Sequence, residues 1–241
     1  PAGADPGGLR YRDGVPRPRS PARVAIVGAG VAGLACARTL VDHGVDVVVF
    51  DKGQRPGGRL AGHLAPGLEV DLGAQYVTVR DARFASHVRS WRAAGVVARW
   101  DGRICALPDR GGALVDTPAL ERLVGAPSMN AIAAALGRDL DVRSSHRVDE
   151  LARCGAGFTL AGTVASGVTL GPRAEADEGP RIGFGAFDAV LVCLPPEQVH
   201  PLVRAVSPGL AATVAQVASV PCVALGFAPA GADDRDARGG S

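Results

Sequence analysis

The feature that most constrains this chain is a glycine-rich turn set between two apolar runs near the amino terminus. The first run, residues 24–27, leads directly into a turn with the spacing G-x-G-x-x-G, which consists of Gly28, Ala29, Gly30, Val31, Ala32 and Gly33. Apolar periodicity predicts a helix over residues 31–43, and the second apolar run, residues 45–50, predicts a strand. The turn therefore lies between a strand and a helix, which is the setting in which this motif binds a dinucleotide.

Each glycine of the turn has a mechanical role in that setting. Gly28 permits the tight turn, Gly30 lets the backbone approach a pyrophosphate, and Gly33 lets the helix pack closely on the strand. The first N–H groups of the helix point at the phosphates, and the helix dipole favours negative charge there. Asp51 follows the second strand, where an acid commonly reaches a ribose hydroxyl. We therefore predict a dinucleotide site; the alternative is a turn that only packs the helix on the strand.

Composition narrows the classes of function. The formal net charge of +2 over 241 residues is too small to indicate a nucleic-acid partner or an anionic membrane surface. The five cysteines are odd in number and contain no C-x-x-C, and the histidines are scattered, so we expect neither a disulfide framework nor a metal site. This cysteine usage favours a reducing, cytoplasmic location. The most apolar late stretch, residues 211–228, is interrupted by polar residues and Pro221, so we expect no membrane span.

Two further segments contain candidate ligand contacts. Residues 53–59 form a second glycine-bearing loop, in which Gly58 precedes Arg59, and a guanidinium can donate two parallel hydrogen bonds to a phosphate. The alternative is an exposed turn with a solvated arginine. In residues 68–77, small side chains would let a flat ring lie against the backbone beside Ala74, Gln75 and Tyr76. A strand with a glycine bulge explains that composition equally well.

These motifs, in this order, resemble the flavin-containing amine oxidase superfamily. The stretches that carry the resemblance are GAGVAGLACARTL, VVVFDK, GGR and DLGAQY. Within that superfamily the chain is similar to the renalase-like branch, through DLGAQYVTVRD, then Phe84, Trp91, Gly95 and Trp100, and then VGAPSMN. The resemblance spans roughly residues 24–228. It implies an α/β fold, in which a partial mixed α+β substrate domain is inserted into a Rossmann-like FAD-binding domain.

For the adenosine half of FAD, the resemblance implies contacts from three parts of the chain. The pyrophosphate lies along the first turn, at Gly28, Gly30, Val31 and Ala32. Asp51, where the family more often has Glu, binds the adenosine ribose, and Lys52 packs near the adenosine end. Backbone groups of Val148 face the adenine.

For the flavin half, the resemblance implies that Gly58 and Arg59 cover the pyrophosphate and ribityl region. The isoalloxazine lies beside Ala74, Gln75 and Tyr76. The implied reaction is transfer of a hydride from a small-molecule substrate to the flavin, with oxygen as the expected acceptor. The substrate is a reduced nicotinamide dinucleotide isomer or an amine, and the sequence does not choose between them. The cofactor supplies the chemistry, and no catalytic side chain stands out.

The resemblance also implies a domain division, with an FAD-binding domain over residues 23–80 and 125–195 and a partial substrate domain over residues 81–124 and 196–228. Composition predicts a disordered leader over residues 1–22 and a disordered tail over residues 229–241. In the family, a returning strand and helix contact the flavin at the position of this tail. We therefore expect a fragment, a frameshifted product or a reduced form.

Two other functions remain open at this point. The first is a nucleotide-binding remnant that holds FAD, or only its adenosine half, without catalysis. The second is a nicotinamide-dependent dehydrogenase, with which Asp51 is compatible. The GGR and DLGAQY stretches have no natural role in such an enzyme, so this reading is the weakest of the three.

Periodicity and turn residues predict further elements. The predicted helices cover residues 81–94, 129–136 with Ser128 as its N-cap, and 196–206. The predicted strands cover residues 99–107, 140–143, 147–151 and 187–196, the last one buried and parallel, and a hairpin covers 158–170. We expect residues 171–185 to form a polar loop. Trp91 and Trp100 are predicted as core residues, with a substrate cage as the alternative.

Overall fold

The computed structural model of the chain describes residues 22–65, 68–103, 105–106, 108, 112–116, 120–165 and 179–224. Within this part the strands are β1 (Arg23–Val27), β2 (Asp46–Phe50), β3 (His63–Ala65), β4 (Leu68–Val70), β5 (Val97–Arg99), β6 (Cys105–Ala106), β7 (Val115–Asp116), β8 (Leu123–Gly125), β9 (Asp141–Arg143), β10 (His146–Cys154), β11 (Gly157–Val164), β12 (Arg181–Phe187) and β13 (Ala189–Val192). The helices are α1 (Val31–Asp42), α2 (Ala82–Ala93), α3 (Asn130–Gly137), α4 (Pro196–Val203) and α5 (Pro208–Val214), and a short 3₁₀ turn covers Gly58–Leu60.

A four-stranded parallel sheet with the order β13-β1-β2-β9 lies at the centre of the structure. β1 pairs in register with both neighbours, so that Ile26 lies between Val49 on β2 and Leu191 on β13. Because α1 connects β1 to β2 and packs on the sheet, these elements form the parallel crossover unit that the sequence predicted. The predicted α/β class with a parallel sheet is confirmed.

Each face of the parallel sheet carries its own apolar layer, because successive side chains of a strand point to opposite faces. On one face Val24 and Ile26 pack with residues of α1 and α3. On the other face Ala25 and Val27 pack against the antiparallel sheet β10-β11-β12 and the helices α4 and α5. Fully buried Phe50 joins this second layer, and its ring centroid lies 5.2 Å from that of Phe184 and 5.9 Å from that of Phe187.

Most predicted elements of the first half and of the antiparallel sheet are present. The helix predicted over residues 31–43 is α1, and the one over 81–94 is α2, whose N-cap Asp81 accepts a hydrogen bond from Arg83 N at 2.7 Å. The short strands predicted over 140–143 and 147–151 are β9 and a longer β10. The predicted hairpin begins with β11, which pairs with β10, and its residues 166–170 lie outside the described ranges.

Two predictions between residues 99 and 136 are wrong. The strand predicted over 99–107 is not continuous: β5 ends at Arg99, the chain bends at Gly102, and Cys105–Ala106 form the separate strand β6, while residues 104 and 107 lie outside the described ranges. Ser128 is not the N-cap of α3, which is Met129. Only the backbone oxygen of Ser128 helps the helix start, by accepting Ala131 N at 2.9 Å.

Two later predictions also need correction. Residues 181–185 of the predicted polar loop belong to β12, since they pair with β11 in spite of their glycines, whereas residues 171–178 lie outside the described ranges. The strand predicted over 187–196 is limited to β13, and Phe187 belongs to β12. β13 is parallel as predicted but only partly buried, because it pairs on one side with β1 and no described strand covers its other edge.

The remaining expectations concern the ends of the chain and the last helix. The helix predicted over residues 196–206 ends at Val203, and Pro208 begins α5. The predicted leader lies outside the described residues except for its last residue, and the predicted tail lies wholly outside them. Among the described helices, none is long and apolar enough to cross a membrane.

Candidate dinucleotide site

The first glycine turn lies at the carboxyl end of β1, and protein atoms alone account for two of its glycines. Gly28 has φ +107°, and its N–H donates to Phe50 O at 2.7 Å. A Cβ on Gly28 would lie 2.6 Å from Cys193 O, and a Cβ on Gly33 would overlap Gly28 O. These two positions therefore need glycine for the turn and for helix packing, whether or not a ligand binds.

Gly30 has no such protein neighbour. It is the N-cap of α1, and no described atom lies within 4 Å of a Cβ built on it. The next two residues, Val31 and Ala32, are exposed, whereas Ala29 is buried in the core. The amino terminus of a 12-residue helix therefore opens onto free space here, and such a terminus attracts phosphate.

Asp51 joins this turn to the loop that follows β2. Its carboxylate accepts Ala29 N at 2.6 Å through Oδ2 and Gly53 N at 2.7 Å through Oδ1. Each carboxylate oxygen retains a further lone pair, so the group can still accept a hydrogen bond from a ligand hydroxyl. Asp51 thus has a structural role that the sequence did not predict, beside the predicted ribose contact.

The second glycine loop lies directly on the first turn. Gly57 N donates to Ala29 O at 2.8 Å, and Gly57 forms an isolated bridge with Gly30. A Cβ on Gly58, which has φ +54°, would lie 3.2 Å from the Cα of Gly30. The loop therefore extends the wall around the free space at the start of α1.

Arg59 follows this contact and has an exposed side chain. Its guanidinium makes no ion pair with any residue in the described ranges, so its charge is available to an anion near the loop. Its carbonyl oxygen accepts Ala74 N at 2.8 Å, and a Cβ on Gly73 would overlap that oxygen. Through this backbone contact the second loop meets the DLGAQY stretch.

A cavity of about 300 Å³ lies beyond the carboxyl ends of β1 and β2. It brings together two residues that the sequence placed near the adenosine, Lys52 and Val148, and its floor includes Val27 and Phe50. A β-bulge between Val148 and Glu150 interrupts the pairing of β10 at this cavity. A larger apolar cavity of about 500 Å³ lies between β13 and the helices α4 and α5 and contains none of the predicted contact residues.

The residues predicted beside the flavin form an exposed aromatic surface. Ala74 packs against the core, whereas Gln75 and Tyr76 are exposed. The Tyr76 ring lies 5.9 Å from the ring of Trp100, and the guanidinium carbon of Arg122 lies 5.3 Å from the Tyr76 ring centroid. Nε of Arg122 is buried without a hydrogen-bond partner in the described part of the structure.

The two tryptophans differ in environment. Trp91 packs against the core of the α1 face, as predicted, but Trp100 is 39% exposed, so the core prediction is wrong for it. Trp100 follows the end of β5, and its backbone N–H donates to Arg122 O at 2.9 Å, next to Leu123, which bridges Val77 beside Tyr76. Its large ring therefore contacts Tyr76 at the surface instead of entering the core.

Three polar contacts that support the second loop were missed from the sequence. They are an Arg55–Glu69 ion pair at 3.1 Å, a hydrogen bond that Met129 N donates to the Asp71 carboxylate, and the contacts of the buried amide of Asn130. Asn130 starts an otherwise apolar helix, and a buried polar residue in such a place signals a specific partner.

Thiols beneath the first turn behave as apolar groups. Burial raises the pKa of the Cys193 thiol, and the neighbouring Cys36 thiol raises it further. Both groups remain half-buried. No group of three or more His, Cys, Asp or Glu residues in the described ranges is arranged to hold a metal ion.

Comparisons with known proteins bear on this geometry. Residues 26–91 match the family model described as an NAD(P)-binding Rossmann-like domain. The amino-terminal unit is a Rossmann-like domain. The matched residues include the first turn, Asp51, the second loop and the DLGAQY stretch.

Curated relatives match shorter segments, each about a quarter of the chain. Hydroxyneurosporene desaturase of Rubrivivax gelatinosus is 43% identical over 58 residues, which are 24% of this chain and 11% of that protein. Tryptophan 2-monooxygenase of Agrobacterium vitis is 41% identical over 68 residues, 27% of this chain and 8% of that protein. Protoporphyrinogen oxidase 2 of Arabidopsis thaliana is 44% identical over 64 residues, 27% of this chain and 13% of that protein. These matches support the FAD-dependent amine oxidase and desaturase superfamily and do not single out the renalase-like branch.

The likeness to solved structures extends over most of the chain. A protein assigned as a protoporphyrinogen oxidase from Exiguobacterium sp. 255-15 has a TM-score of 0.53 at 14% identity, with 82% of this chain and 64% of that chain covered. A putrescine oxidase variant from a redesign of cofactor binding has a TM-score of 0.50 at 15% identity, with 75% of this chain and 59% of that chain covered. At these identities the likeness shows the fold alone.

Proposed function

We propose that this chain carries the FAD-binding part of an FAD-dependent oxidoreductase. The observation that carries the proposal is the contact between the two glycine loops. Together the loops border the open space at the amino terminus of α1. A dinucleotide pyrophosphate suits that space, because helix N–H groups face it from one side and Arg59 can reach it from the other. The superfamily to which the matched segment is similar supports FAD as the dinucleotide.

In this proposal the adenosine half of FAD binds in the cavity beyond β1 and β2. The backbone of Val148 faces the adenine, Lys52 lies beside it, and Asp51 accepts a ribose hydroxyl. The pyrophosphate passes over the first turn, with Gly58 and Arg59 above it. The flavin ring then lies beside Ala74, Gln75 and Tyr76.

Bound FAD would supply the hydride acceptor, with oxygen as the terminal acceptor. The protein's own residues bind and orient: α1 faces the phosphates, and Tyr76 and Trp100 present aromatic faces at the substrate side. Of the two substrate classes, we favour a reduced nicotinamide dinucleotide isomer, as in a renalase-like enzyme. The positive charge of Arg122 beside Tyr76 attracts a phosphate-bearing substrate and repels an ammonium group.

We also propose that residues 23–80 and 125–195 act as the FAD-binding domain and residues 81–124 and 196–228 as part of the substrate domain. The segment from α2 to β8 contributes Trp100 and Arg122 to the surface beside Tyr76, which supports this division. A cytoplasmic location stays a prediction from the cysteine usage.

The second candidate function is binding of FAD, or of its adenosine half, without catalysis. The apolar residues after α5 favour it, since Val220 and Val223 are 89% and 87% exposed and pack on no described element. The aromatic surface at Tyr76 is likewise open rather than enclosed, and a flavin reaction benefits from a site that excludes water.

The visible absorption spectrum of the purified chain, before and after addition of excess FAD and gel filtration, tests the proposal. We expect a flavin band that stays with the protein. Anaerobic addition of a reduced nicotinamide dinucleotide isomer should then bleach the band, whereas putrescine should not. Retained flavin that neither compound bleaches would favour binding without catalysis, and loss of FAD on the column would refute both candidates in their FAD form.

A further inference from the structure

The buried amide of Asn130 lies against the second glycine loop. Asn130 is the first residue of α3 and is 7% exposed. One orientation of its amide satisfies both ends: Nδ2 donates to Pro56 O at 2.7 Å, and Oδ1 accepts Arg55 Nη2 at 3.1 Å. The opposite orientation would set oxygen against oxygen and nitrogen against nitrogen. Because a buried amide is costly without partners, these contacts hold residues 55 and 56 in place.

Further hydrogen bonds fix the position of Asn130 and of its partner Arg55. The guanidinium of Arg55 also donates to Glu69 Oε1 at 3.1 Å, and Glu69 belongs to β4. Just after β4, the carboxylate of Asp71 accepts Met129 N at 3.1 and 3.2 Å, which fixes the start of α3. Two connections to the β4 region therefore fix this contact: Asp71 holds the backbone just before Asn130, and Glu69 holds its partner Arg55.

The residue after Pro56 makes the contact with the first turn. Gly57 N donates to Ala29 O, and a Cβ on Gly57 would overlap the amide of Asn130. Gly58 then lies against Gly30, beside the open space. The second loop thus packs between Asn130 on one side and the first turn on the other. The distance of Gly58 and Arg59 from the open space therefore depends on Asn130.

We propose that Asn130 is a positioning residue for the pyrophosphate of the bound dinucleotide. It acts through Pro56 and Arg55, and it sets where Gly58 and Arg59 stand along the ligand path. The inference rests on the proposed function for the identity of the ligand. Asn130 belongs to neither glycine motif, and it lies on a helix that returns to the site from a distant part of the sequence.

The replacement Asn130→Leu keeps the volume of the side chain and removes both hydrogen bonds. Two probes separate positioning from folding: FAD carries the pyrophosphate, whereas adenosine fills only the cavity at Val148. We expect the Kd for FAD to rise about tenfold or more and the Kd for adenosine, followed by ligand-observed NMR, to stay within about twofold. An equal loss for both ligands, or no loss for FAD, would overturn the proposal.

Two controls complete the test. Ser128→Ala removes another buried polar side chain at the start of α3 and should leave the ratio of the two Kd values unchanged. If Asn130→Leu fails to fold, Arg55→Gln removes the partner of Oδ1 from a half-exposed position and should give a smaller but equally selective loss of FAD affinity. A loss shared equally by adenosine would again contradict positioning.

A spectroscopic measurement needs no variant, because Asn130 is the only asparagine in the chain. Labelling asparagine with ¹⁵N on its side chain gives a single NH₂ signal. We expect this signal to exchange slowly with water and to shift when FAD binds, but not when adenosine binds. A signal that FAD leaves unchanged, in a chain that binds FAD, would overturn the positioning role alone. A wild-type chain that binds adenosine and not FAD would instead overturn the proposed function.

Discussion

Replacing Gly30 with valine separates the two reasons for which the first turn contains glycine. Gly30 has φ −75° and ψ 177°, which are extended values that any residue adopts, and a Cβ there meets no described atom within 4 Å. A valine therefore fits the free protein. We expect the free energy of unfolding to change by less than ~1 kcal/mol, because the poorer N-cap is offset by the lower entropy of the unfolded chain.

The same side chain would occupy the proposed pyrophosphate path. The phosphates would lose hydrogen bonds from the first turn of α1, and hydrogen bonds to a charged group contribute about 1.5–3 kcal/mol each. The loss of two such bonds corresponds to about 3 kcal/mol or more, so the Kd for FAD should rise about a hundredfold or more. The substitution should thus lower the affinity for FAD strongly and leave the stability of the free protein nearly unchanged.

The assay pairs an FAD titration, followed by flavin fluorescence, with urea unfolding of the protein without FAD. Gly183→Val is the matched control, because Gly183 lies in β12 and a Cβ there also meets no described atom within 4 Å. Gly33→Ala, by contrast, should lower the free energy of unfolding by about 1–3 kcal/mol, since its Cβ would overlap Gly28 O and overpacking is destabilising. Unchanged FAD affinity in Gly30→Val would refute the proposed position of the pyrophosphate. A large loss of stability would refute the conclusion that a side chain at position 30 meets no protein atoms.

Three other predictions test separate parts of the site. Arg59→Ala should weaken FAD binding by about 1–3 kcal/mol, whereas Arg80→Ala, which removes the same charge from another exposed position, should not change the Kd in a parallel titration. Asp51→Asn should lower the free energy of unfolding in urea by about 1–3 kcal/mol, because an amide cannot accept from both backbone N–H groups; unchanged stability would contradict the bridging role. Burial raises the pKa of Cys193, so the stabilisation from its protonated thiol is lost as pH rises through that raised pKa. Because the thiolate is the reactive form, iodoacetamide should modify Cys193 more slowly than exposed Cys154 between about pH 7 and 9. Equal rates in mass spectrometry would contradict the last prediction.

The unit from β1 to β2 could be predicted from the sequence because its determinants are local. The two apolar runs mark strands that are buried on both faces, and the glycine spacing marks the turn between the first strand and α1. The pairing of β1 with β13 is different, since the two strands lie more than 160 residues apart. Apolar composition predicted a parallel strand there, but it could not show that β13 lies at the edge of the described sheet.

Local composition predicts the wrong structure where pairing with a distant strand decides it. The glycine-rich stretch that begins at Arg181 was predicted as a loop, yet it forms β12, because Phe184 and Phe187 bury their rings against Phe50. Strand preference depends strongly on such packing, so glycines at exposed positions between buried aromatic rings do not prevent pairing. The stretch through Trp100 shows the opposite case: its apolar residues predicted one continuous strand, but β5 ends at Arg99 and the chain bends at Gly102.

The glycines of the two loops show how far a sequence motif can be interpreted without a structure. Protein atoms account for Gly28, Gly33 and Gly57, because a Cβ at each would meet the backbone or the amide of Asn130. No described atom accounts for Gly30, and its conformation suits any residue. Among the glycines of the two loops, Gly30 alone has neither a close protein neighbour nor a positive φ, so it is the position that a ligand contact would explain. The open space at Gly30 and the loop that Asn130 holds beside it therefore support a dinucleotide, whereas the number of glycines in the turn does not.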